Sequence, residues 1–197
     1  MKRGKIIIIS GPSGSGKTTL YKKLLKSLKF KKKLVKSVSV TTREKRKGEI
    51  EGRDYFFVSK KMFFYKKKAG HFLESQPVFD NFYGTPKKNV RDLLKRGKNV
   101  LLCIDVKGAK VVAQQFKSAV KVFIKTENWE ELKKRLQARG SDDERSMRLR
   151  LKIAKDELKE QSMYDHIIIN SNLNKAFSEL TQIIKEEISF EDESCNA

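Results

Sequence analysis

Cysteine is scarce in this 197-residue chain, and long apolar runs are missing. The only two cysteines, Cys103 and Cys195, lie far apart, which excludes a disulfide framework and favours a reducing compartment. The first apolar run covers only Ile6 to Ile9 before a loop of glycine and serine, too short for a signal peptide or a membrane span. We therefore expect a soluble, cytoplasmic protein.

Acidic residues are also few. The chain has 24 of them and 45 lysines and arginines, which gives a formal net charge of +21. Such a balance suits anionic partners, for example nucleic acid or an acidic membrane surface. The lysines are spread over every segment, however, as in a chain whose solvated faces are simply basic. The charge alone therefore selects no partner.

Predicted strands and helices alternate along most of the chain. Residues 5–9 form an unbroken β-branched run, typical of a strand buried on both faces, and Leu20, Leu24 and Leu28 then recur at helical spacing. Similar strand and helix pairs are predicted at 99–104 with 107–116, at 120–124 with 128–138, and at 166–169 with 173–187. This alternation predicts a doubly wound α/β core.

Two segments break this alternation. Residues 35–88 are rich in Thr, Phe, Tyr and Gly, with a short lysine-rich helix near 60–69, and predict a small mixed α/β lobe inserted into the core. Residues 135–152 carry several arginines and almost no apolar stripe, which favours a short, mobile helical lid. The rest of this single domain is predicted to be core (1–34, 89–134 and 153–188) and a disordered tail (189–197).

One motif carries explicit chemistry. Residues 11–18, GPSGSGKT, match the full pattern G-x-x-x-x-G-K-[ST] between a predicted strand and a predicted helix. Its glycines let successive N–H groups point at phosphate oxygens, and the helix N-terminus adds the positive end of its dipole. We expect Lys17 to reach the β- and γ-phosphates and Thr18 to place its hydroxyl on Mg²⁺. The predicted nucleotide-binding residues are Gly11, Pro12, Ser13, Gly14, Ser15, Gly16, Lys17, Thr18 and Thr19.

Beyond this loop, roughly residues 4–187 resemble the guanylate kinase family. The segments that carry the resemblance are ISGPSGSGKTTL (9–20), SVSVTTREKRKGEIEGRDYFFV (37–58), FLE (72–74), NFYGT (81–85), CIDVKGA (103–109), RLQARG (135–140) and IIN (168–170). The second is the most specific, because it combines Thr-Thr-Arg, a further arginine, Gly-Glu and Gly-x-Asp-Tyr in that order.

The resemblance implies both a fold and an activity. The fold is a P-loop NTPase three-layer core with a parallel sheet, a GMP-binding lobe and a short helical lid. The activity is Mg²⁺-dependent transfer of the γ-phosphoryl group of ATP to GMP or dGMP, in purine nucleotide metabolism and GMP recycling. The implied partners are these nucleotides, with no obligate nucleic acid and no membrane, and the protein is expected to be a monomer or a homodimer.

The resemblance also implies roles for matching residues. Those that hold the GMP phosphate are Arg43, Arg46, Tyr55 and Tyr83. Those that line the guanine pocket are Ser39, Glu74, Thr85 and Asp105. Arginines that close on the ATP phosphates are Arg135, Arg139 and Arg150, while Asn170 lies near the adenine end of ATP. The implied catalytic residues are Lys17, Arg43, Arg135, Arg139 and Arg150.

The chemistry of these residue types agrees with the implied roles. Guanidinium groups pair bidentately with phosphate oxygens, and phenols add neutral donors beside them. A single carboxylate at Glu74 can accept hydrogen bonds from both N1–H and the N2 amino group of guanine, an adjacent donor pair that adenine lacks. The alternatives are a solvated basic face for the arginines, strand packing for the tyrosines and simple exposure for Glu74.

Two further features concern catalysis. No general base is required, because the acceptor is already an anionic phosphate, so positioning and charge neutralisation suffice. The family usually has Asp-Ile-Asp where this chain has Cys103-Ile104-Asp105. Positions two apart on a strand face the same way, so Cys103 is expected to face the site beside Asp105, where a lost carboxylate affects metal positioning. The alternative is a buried packing residue.

Two other functions remain open at this point. Some guanylate kinase-like domains are peptide-binding scaffolds, but the intact loop and the length of the chain argue against this. A nucleic-acid-binding protein needs lysines and aromatics on one surface, and residues 63–68, FFYKKK, are the best candidate. We favour a lobe helix whose aromatic face is buried.

Overall fold

The computed structural model describes residues 3–27, 30, 33–138 and 144–188. The strands are β1 (Ile6–Ser10), β2 (Leu34–Lys36), β3 (Val40–Thr41), β4 (Phe56–Phe57), β5 (Phe72–Val78), β6 (Asn81–Pro86), β7 (Asn99–Cys103), β8 (Val120–Lys125) and β9 (His166–Ile169). The helices are α1 (Lys17–Lys26), α2 (Lys60–Lys68), α3 (Lys87–Lys95), α4 (Val106–Gln115), α5 (Trp129–Gln137), α6 (Glu144–Lys159) and α7 (Leu173–Glu187), with a 3-10 turn at Glu160–Met163.

Five strands form a sheet in the order β2-β7-β1-β8-β9, in which β2 runs parallel to β7 and β8 parallel to β9. All five residues of β1 are buried, as in a parallel strand enclosed on both faces. The predicted α/β fold with a parallel sheet is confirmed. None of the helices in the described ranges is long and apolar enough to cross a membrane.

Internal contacts divide the chain into two compact units. The first comprises Met1–Ile7 and Lys32–Ala119, and the second comprises Ile8–Lys31 and Val120–Ala197. A four-stranded mixed sheet in the order β4-β3-β6-β5 belongs to the first unit, and the glycine-rich loop belongs to the second. The boundaries predicted for core, lobe and lid stay a prediction.

The four-stranded sheet has two chemically distinct faces. Val40 pairs with Phe56 on one side and Gly84 on the other, whereas Thr41 pairs with Phe57 and Tyr83. Because successive side chains alternate across a strand, these two rows lie on opposite faces. We call them the Val40 face and the Tyr83 face.

Helix α2 confirms the predicted lysine-rich helix, but its aromatic residues are only partly buried. Phe63 is fully buried and stacks on Phe72 with the ring centroids 4.8 Å apart. Phe64 is 45% exposed although its ring meets that of Phe82 of β6 edge to face with the centroids 4.8 Å apart, and Tyr65 is 67% exposed. The expectation of a buried aromatic face is therefore right for Phe63 and wrong for its two neighbours.

The arginine-rich segment corrects a second expectation. Its described part, α6, carries an apolar stripe at helical spacing: Met147, Leu151, Ala154 and Leu158. These side chains form one cluster with Leu132 and Leu136 of α5. The stripe is hard to see in the sequence because half of it lies beyond residue 152, so the expectation of almost no apolar stripe in this segment is wrong. Arg139 and the tail 189–197 lie outside the described residues.

Candidate functional site

The glycine-rich loop joins β1 to α1 in a conformation that other residues would strain. Gly11, Gly14 and Gly16 have φ angles of 132°, 88° and 91°. A Cβ on Gly11 would lie 2.1 Å from the carbonyl oxygen of Ile124, and one on Gly16 would lie 2.1 Å from Nδ2 of Asn170. Glycine is needed both for the backbone angles and for these close approaches.

Three side chains surround this loop. Lys17 Nζ donates to the carbonyl oxygens of Gly11 and Pro12 at 2.6 and 2.8 Å, so its charge lies over the loop. Asn170 is 4% exposed, and its side-chain amide donates to the carbonyl oxygen of Ser15 at 2.8 Å. Arg135 Nη2 in turn donates to the carbonyl oxygen of Asn170 at 3.0 Å. The structure thus gathers Lys17, Asn170 and Arg135 around the loop.

Three other predicted residues of the nucleotide site are at least partly exposed to solvent. Thr18 and Thr19 are exposed in the first turn of α1, and Arg150 is half-buried in α6. No group of three or more His, Cys, Asp and Glu side chains suited to a metal exists in the described residues. The Thr18 hydroxyl offers a single oxygen ligand. This fits Mg²⁺, because that ion is usually bound by few protein oxygens together with phosphates and water.

The first unit brings three of the four predicted phosphate-binding residues together on the Tyr83 face. Arg43 Nε donates to the hydroxyl oxygen of Tyr83 at 3.3 Å, and its guanidinium lies 5.5 Å from the ring centroid of Tyr55. The Tyr55 and Tyr83 rings meet edge to face at 5.8 Å. We call Arg43, Tyr55 and Tyr83 the anion cluster. The Arg46 side chain is exposed.

Glu49 is a site residue that sequence analysis missed. Its two carboxylate oxygens accept hydrogen bonds from Arg43 Nη2 at 2.7 and 3.0 Å, and one also accepts from the Arg46 N–H at 2.9 Å. Burial acts to raise the pKa of Glu49, but these bonds outweigh burial and lower it. Glu49 therefore orients the Arg43 guanidinium. The sequence did contain a signal for Glu49, because this residue belongs to the Gly-Glu pair of the segment 37–58.

The predicted guanine pocket contains a buried carboxyl group. Glu74 is 7% exposed, and its Oε1 accepts a 2.5 Å hydrogen bond from the Thr85 hydroxyl. Burial, together with the negative charge of Asp105, raises the pKa of Glu74 to about 7, although the Thr85 bond opposes this. Ser39, the fourth predicted residue, is half-buried just before β3.

Helix α4 closes one side of this pocket. Asp105 caps the helix by accepting a 2.6 Å hydrogen bond from the N–H of Gly108. A Cβ on Gly108 would lie only 2.8 Å from Glu74 Oε2, so glycine is required for α4 to approach the carboxyl. The structure thus places Glu74, Thr85 and Asp105 together, and it adds Gly108, a second residue that sequence analysis missed.

The raised pKa of Glu74 predicts a pH-dependent stability. A carboxyl whose pKa rises from 4.5 unfolded to about 7 folded destabilises the protein progressively as the pH climbs through that window. We expect Glu74→Gln to remove this loss, so that the variant gains about 3 kcal/mol over the wild type between pH 4 and pH 8. Urea denaturation across that range measures it. Asp80→Asn, in an exposed turn, is the control, and a pH-independent difference for Glu74→Gln would contradict the assignment.

Cys103, at the end of β7, is half-buried and is not part of a disulfide. Burial raises the pKa of Tyr55, and the negative charge that Cys103 carries when ionised raises it further. The thiol therefore lies within electrostatic reach of the anion cluster. That Cys103 faces the site stays a prediction.

Known proteins of one family match this chain over nearly its whole length. A sequence model of the guanylate kinase family matches residues 3–187. The guanylate kinase of Clostridium tetani is 42% identical over 187 residues, which cover 95% of this chain and 88% of that protein. The guanylate kinase of Wolbachia pipientis wMel is 43% identical over 185 residues, with coverages of 93% and 90%.

A solved structure agrees with these sequence relatives. The crystal structure of guanylate kinase from Anaplasma phagocytophilum matches with a TM-score of 0.79 at 35% identity, covering 95% of this chain and 88% of that one. These matches span nearly the whole sequence, including the glycine-rich loop, the anion cluster and the Glu74 pocket. The chain therefore belongs to the guanylate kinase family.

Proposed function

We propose that the chain transfers the γ-phosphoryl group of ATP to GMP or dGMP, with Mg²⁺, and releases ADP and the corresponding diphosphate. The setting is cytoplasmic purine nucleotide metabolism and GMP recycling, and the protein acts as a monomer or homodimer without nucleic acid or membrane. The observation that supports the acceptor most directly is the buried Glu74 carboxyl, held by Thr85 beside Asp105.

Glu74 selects guanine through its two free acceptor positions. The ionised carboxylate accepts hydrogen bonds from N1–H and the N2 amino group of the base, while Thr85 holds the carboxyl in place. A base without this donor pair would leave a buried carboxylate unsatisfied, which is why such sites reject analogues strongly. Because the pKa of Glu74 is about 7 in the empty pocket, binding of GMP also requires the deprotonated form.

The anion cluster receives the phosphate of the acceptor. Arg43 is oriented by Glu49, and its guanidinium exchanges its present bonds to Tyr83, Glu49 and the carbonyl oxygen of Glu44 for bonds to the phosphate oxygens. The hydroxyls of Tyr55 and Tyr83 add neutral donors. Glu49 balances the charge of Arg43 while the site is empty. The phosphate dianion therefore meets a preorganised guanidinium, and little side-chain entropy is lost on binding.

The glycine-rich loop binds the donor phosphates. Lys17, already over the loop, moves its charge from the carbonyls of Gly11 and Pro12 to the β- and γ-phosphates. Arg135, with Arg139 and Arg150, adds positive charge as negative charge spreads over the transferred group. Mg²⁺, held by the Thr18 hydroxyl and the phosphates, would supply further charge neutralisation.

A coupled ADP-release assay tests this function with GMP, dGMP, AMP, UMP and CMP, each with ATP and Mg²⁺. We expect turnover with GMP and dGMP, rates lower by about 10⁴-fold with the other three, and none in EDTA. Comparable rates on GMP and UMP would contradict the guanine assignment. No turnover on any monophosphate would favour the peptide-binding scaffold.

Cys103 provides a separate test of the acceptor site. In a Cys195→Ser background, we expect iodoacetamide to modify Cys103 about 10-fold more slowly when GMP is bound, because the ligand covers the anion cluster and limits access. Mass spectrometry of the modified peptide measures the rate, and AMP at the same concentration is the control. Equal rates with GMP, AMP and no nucleotide would show that Cys103 is a packing residue.

A further inference from the structure

The first compact unit contains a second concave site, on the Val40 face of its sheet. A cavity of about 910 Å³ lies between this face and α3. We call its apolar lining side chains Val40, Phe56, Val58, Phe72 and Leu93 the floor, and its charged lining side chains the rim. The register places Val40 beside Phe56 on one face and Thr41 beside Tyr83 on the other. The cavity is therefore separated by the sheet from the anion cluster.

The rim of this cavity is strongly basic. Its cationic residues are Lys66, Lys87, Lys88, Arg91, Lys95 and Arg96, against two carboxylates, Glu51 and Asp92. Within the described part of the chain, none of these six cations forms an ion pair. Glu51 instead accepts a hydrogen bond from the N–H of Phe57 at 3.1 Å. The cavity thus combines an apolar floor with positive charge that the described residues do not neutralise.

Helix α3 carries most of this charge, in an arrangement that destabilises the helix. Lys87, Arg91 and Lys95 follow one another at four-residue intervals, so they form one row along the helix. Like charges at this spacing repel each other and destabilise a helix. An anion between the rim and the floor would remove this repulsion, so binding would stabilise α3 as well as fill the cavity.

We propose that this cavity is a binding site for a small anion with a flat apolar body, of the aryl phosphate or aryl sulfonate class. Its volume lies in the range of sites for ligands of nucleotide size. A simple inorganic anion would leave the apolar floor in contact with water, and a neutral apolar molecule would leave the rim charges unpaired. A ligand with an anionic group and a flat apolar body pairs with the rim charges and also covers the apolar floor.

Titration of the folded full-length protein with 1-anilinonaphthalene-8-sulfonate tests the proposal, because this probe is a flat aromatic anion. We expect saturable binding of about one equivalent, which saturating GMP does not displace. Arg91→Glu with Lys95→Glu should weaken binding at least about 10-fold, since two rim attractions become repulsions. Phe56→Ala should also weaken it, because the floor loses a ring. Calorimetry gives affinity and stoichiometry.

The matched control is Lys60→Glu with Lys61→Glu, the same charge change on α2 outside the cavity. This control should bind the probe within about twofold of the wild type. Equal weakening by both charge variants, displacement by GMP or absence of saturable binding would each overturn the proposal. If the double variant Arg91→Glu with Lys95→Glu has a lower melting temperature than the wild type, the double variant Arg91→Gln with Lys95→Gln is used in its place. Kinase activity is measured in parallel, so failure here is distinct from failure of the proposed function.

Discussion

Glu74→Gln is expected to lower kcat/KM for GMP by about 10³-fold, because the amide replaces one of two charged acceptors with a donor. The N–H₂ of glutamine would face the donors of guanine, so one hydrogen bond is lost and one repulsive contact appears. The KM for ATP should stay within about twofold, since the glycine-rich loop is unchanged. Steady-state kinetics with GMP and ATP varied in turn measure both effects.

The pH dependence separates this role from a structural one. In the wild type, KM for GMP should rise as the pH falls below about 7, because protonated Glu74 cannot accept both hydrogen bonds. Glu74→Gln should lack this dependence. Asp80→Asn, an exposed carboxylate changed in the same way, should retain wild-type kinetics. A Glu74→Gln variant that phosphorylates GMP normally would show that guanine is recognised elsewhere.

Lys17→Met is expected to lower kcat by about 10³-fold, because a positive charge on the transferred phosphoryl group is lost in a site where such charges stabilise the transition state. Methionine retains the apolar stem, so the helix start should remain intact. The KM for GMP should change little, because the residues proposed to bind the acceptor lie in the other compact unit. Stopped assays over long times, with the melting temperature measured in parallel, give the residual rate.

Lys26→Met is the matched control for this variant. It makes the same change on α1, at an exposed position at the other end of the helix. Its kcat should stay within about twofold of the wild type. A Lys17→Met variant with near-normal kcat would mean that the loop lysine does not assist the transfer. An equal loss in both variants would mean that the overall charge of α1 matters.

Elements with a strong local pattern could be predicted from the sequence. α7 was predicted at 173–187, the bounds that it has, because its apolar residues recur at helical spacing after the cap residue Asn172. β2 was not predicted, since three residues in a lysine-rich stretch become a strand only by pairing with β7. α3 was also not predicted, because charged residues dominate it and hide its apolar side.

The same division holds for the candidate site. The motifs indicated which residues belong to the glycine-rich loop, the anion cluster and the Glu74 pocket, because those residues sit in specific segments. They did not predict that Glu49 pairs with Arg43 or that Gly108 allows α4 to approach Glu74. Nor could they predict the raised pKa of Glu74, which arises from burial and so depends on tertiary packing.

The most direct test of guanine-selective phosphoryl transfer is a competition with γ-³²P-labelled ATP and Mg²⁺. Equal concentrations of GMP, AMP, CMP and UMP are mixed with limiting labelled ATP, and the labelled diphosphates are separated by chromatography. We predict that labelled GDP exceeds each other labelled diphosphate by about 10⁴-fold. Labelled ADP, CDP or UDP in amounts comparable to labelled GDP would contradict the account.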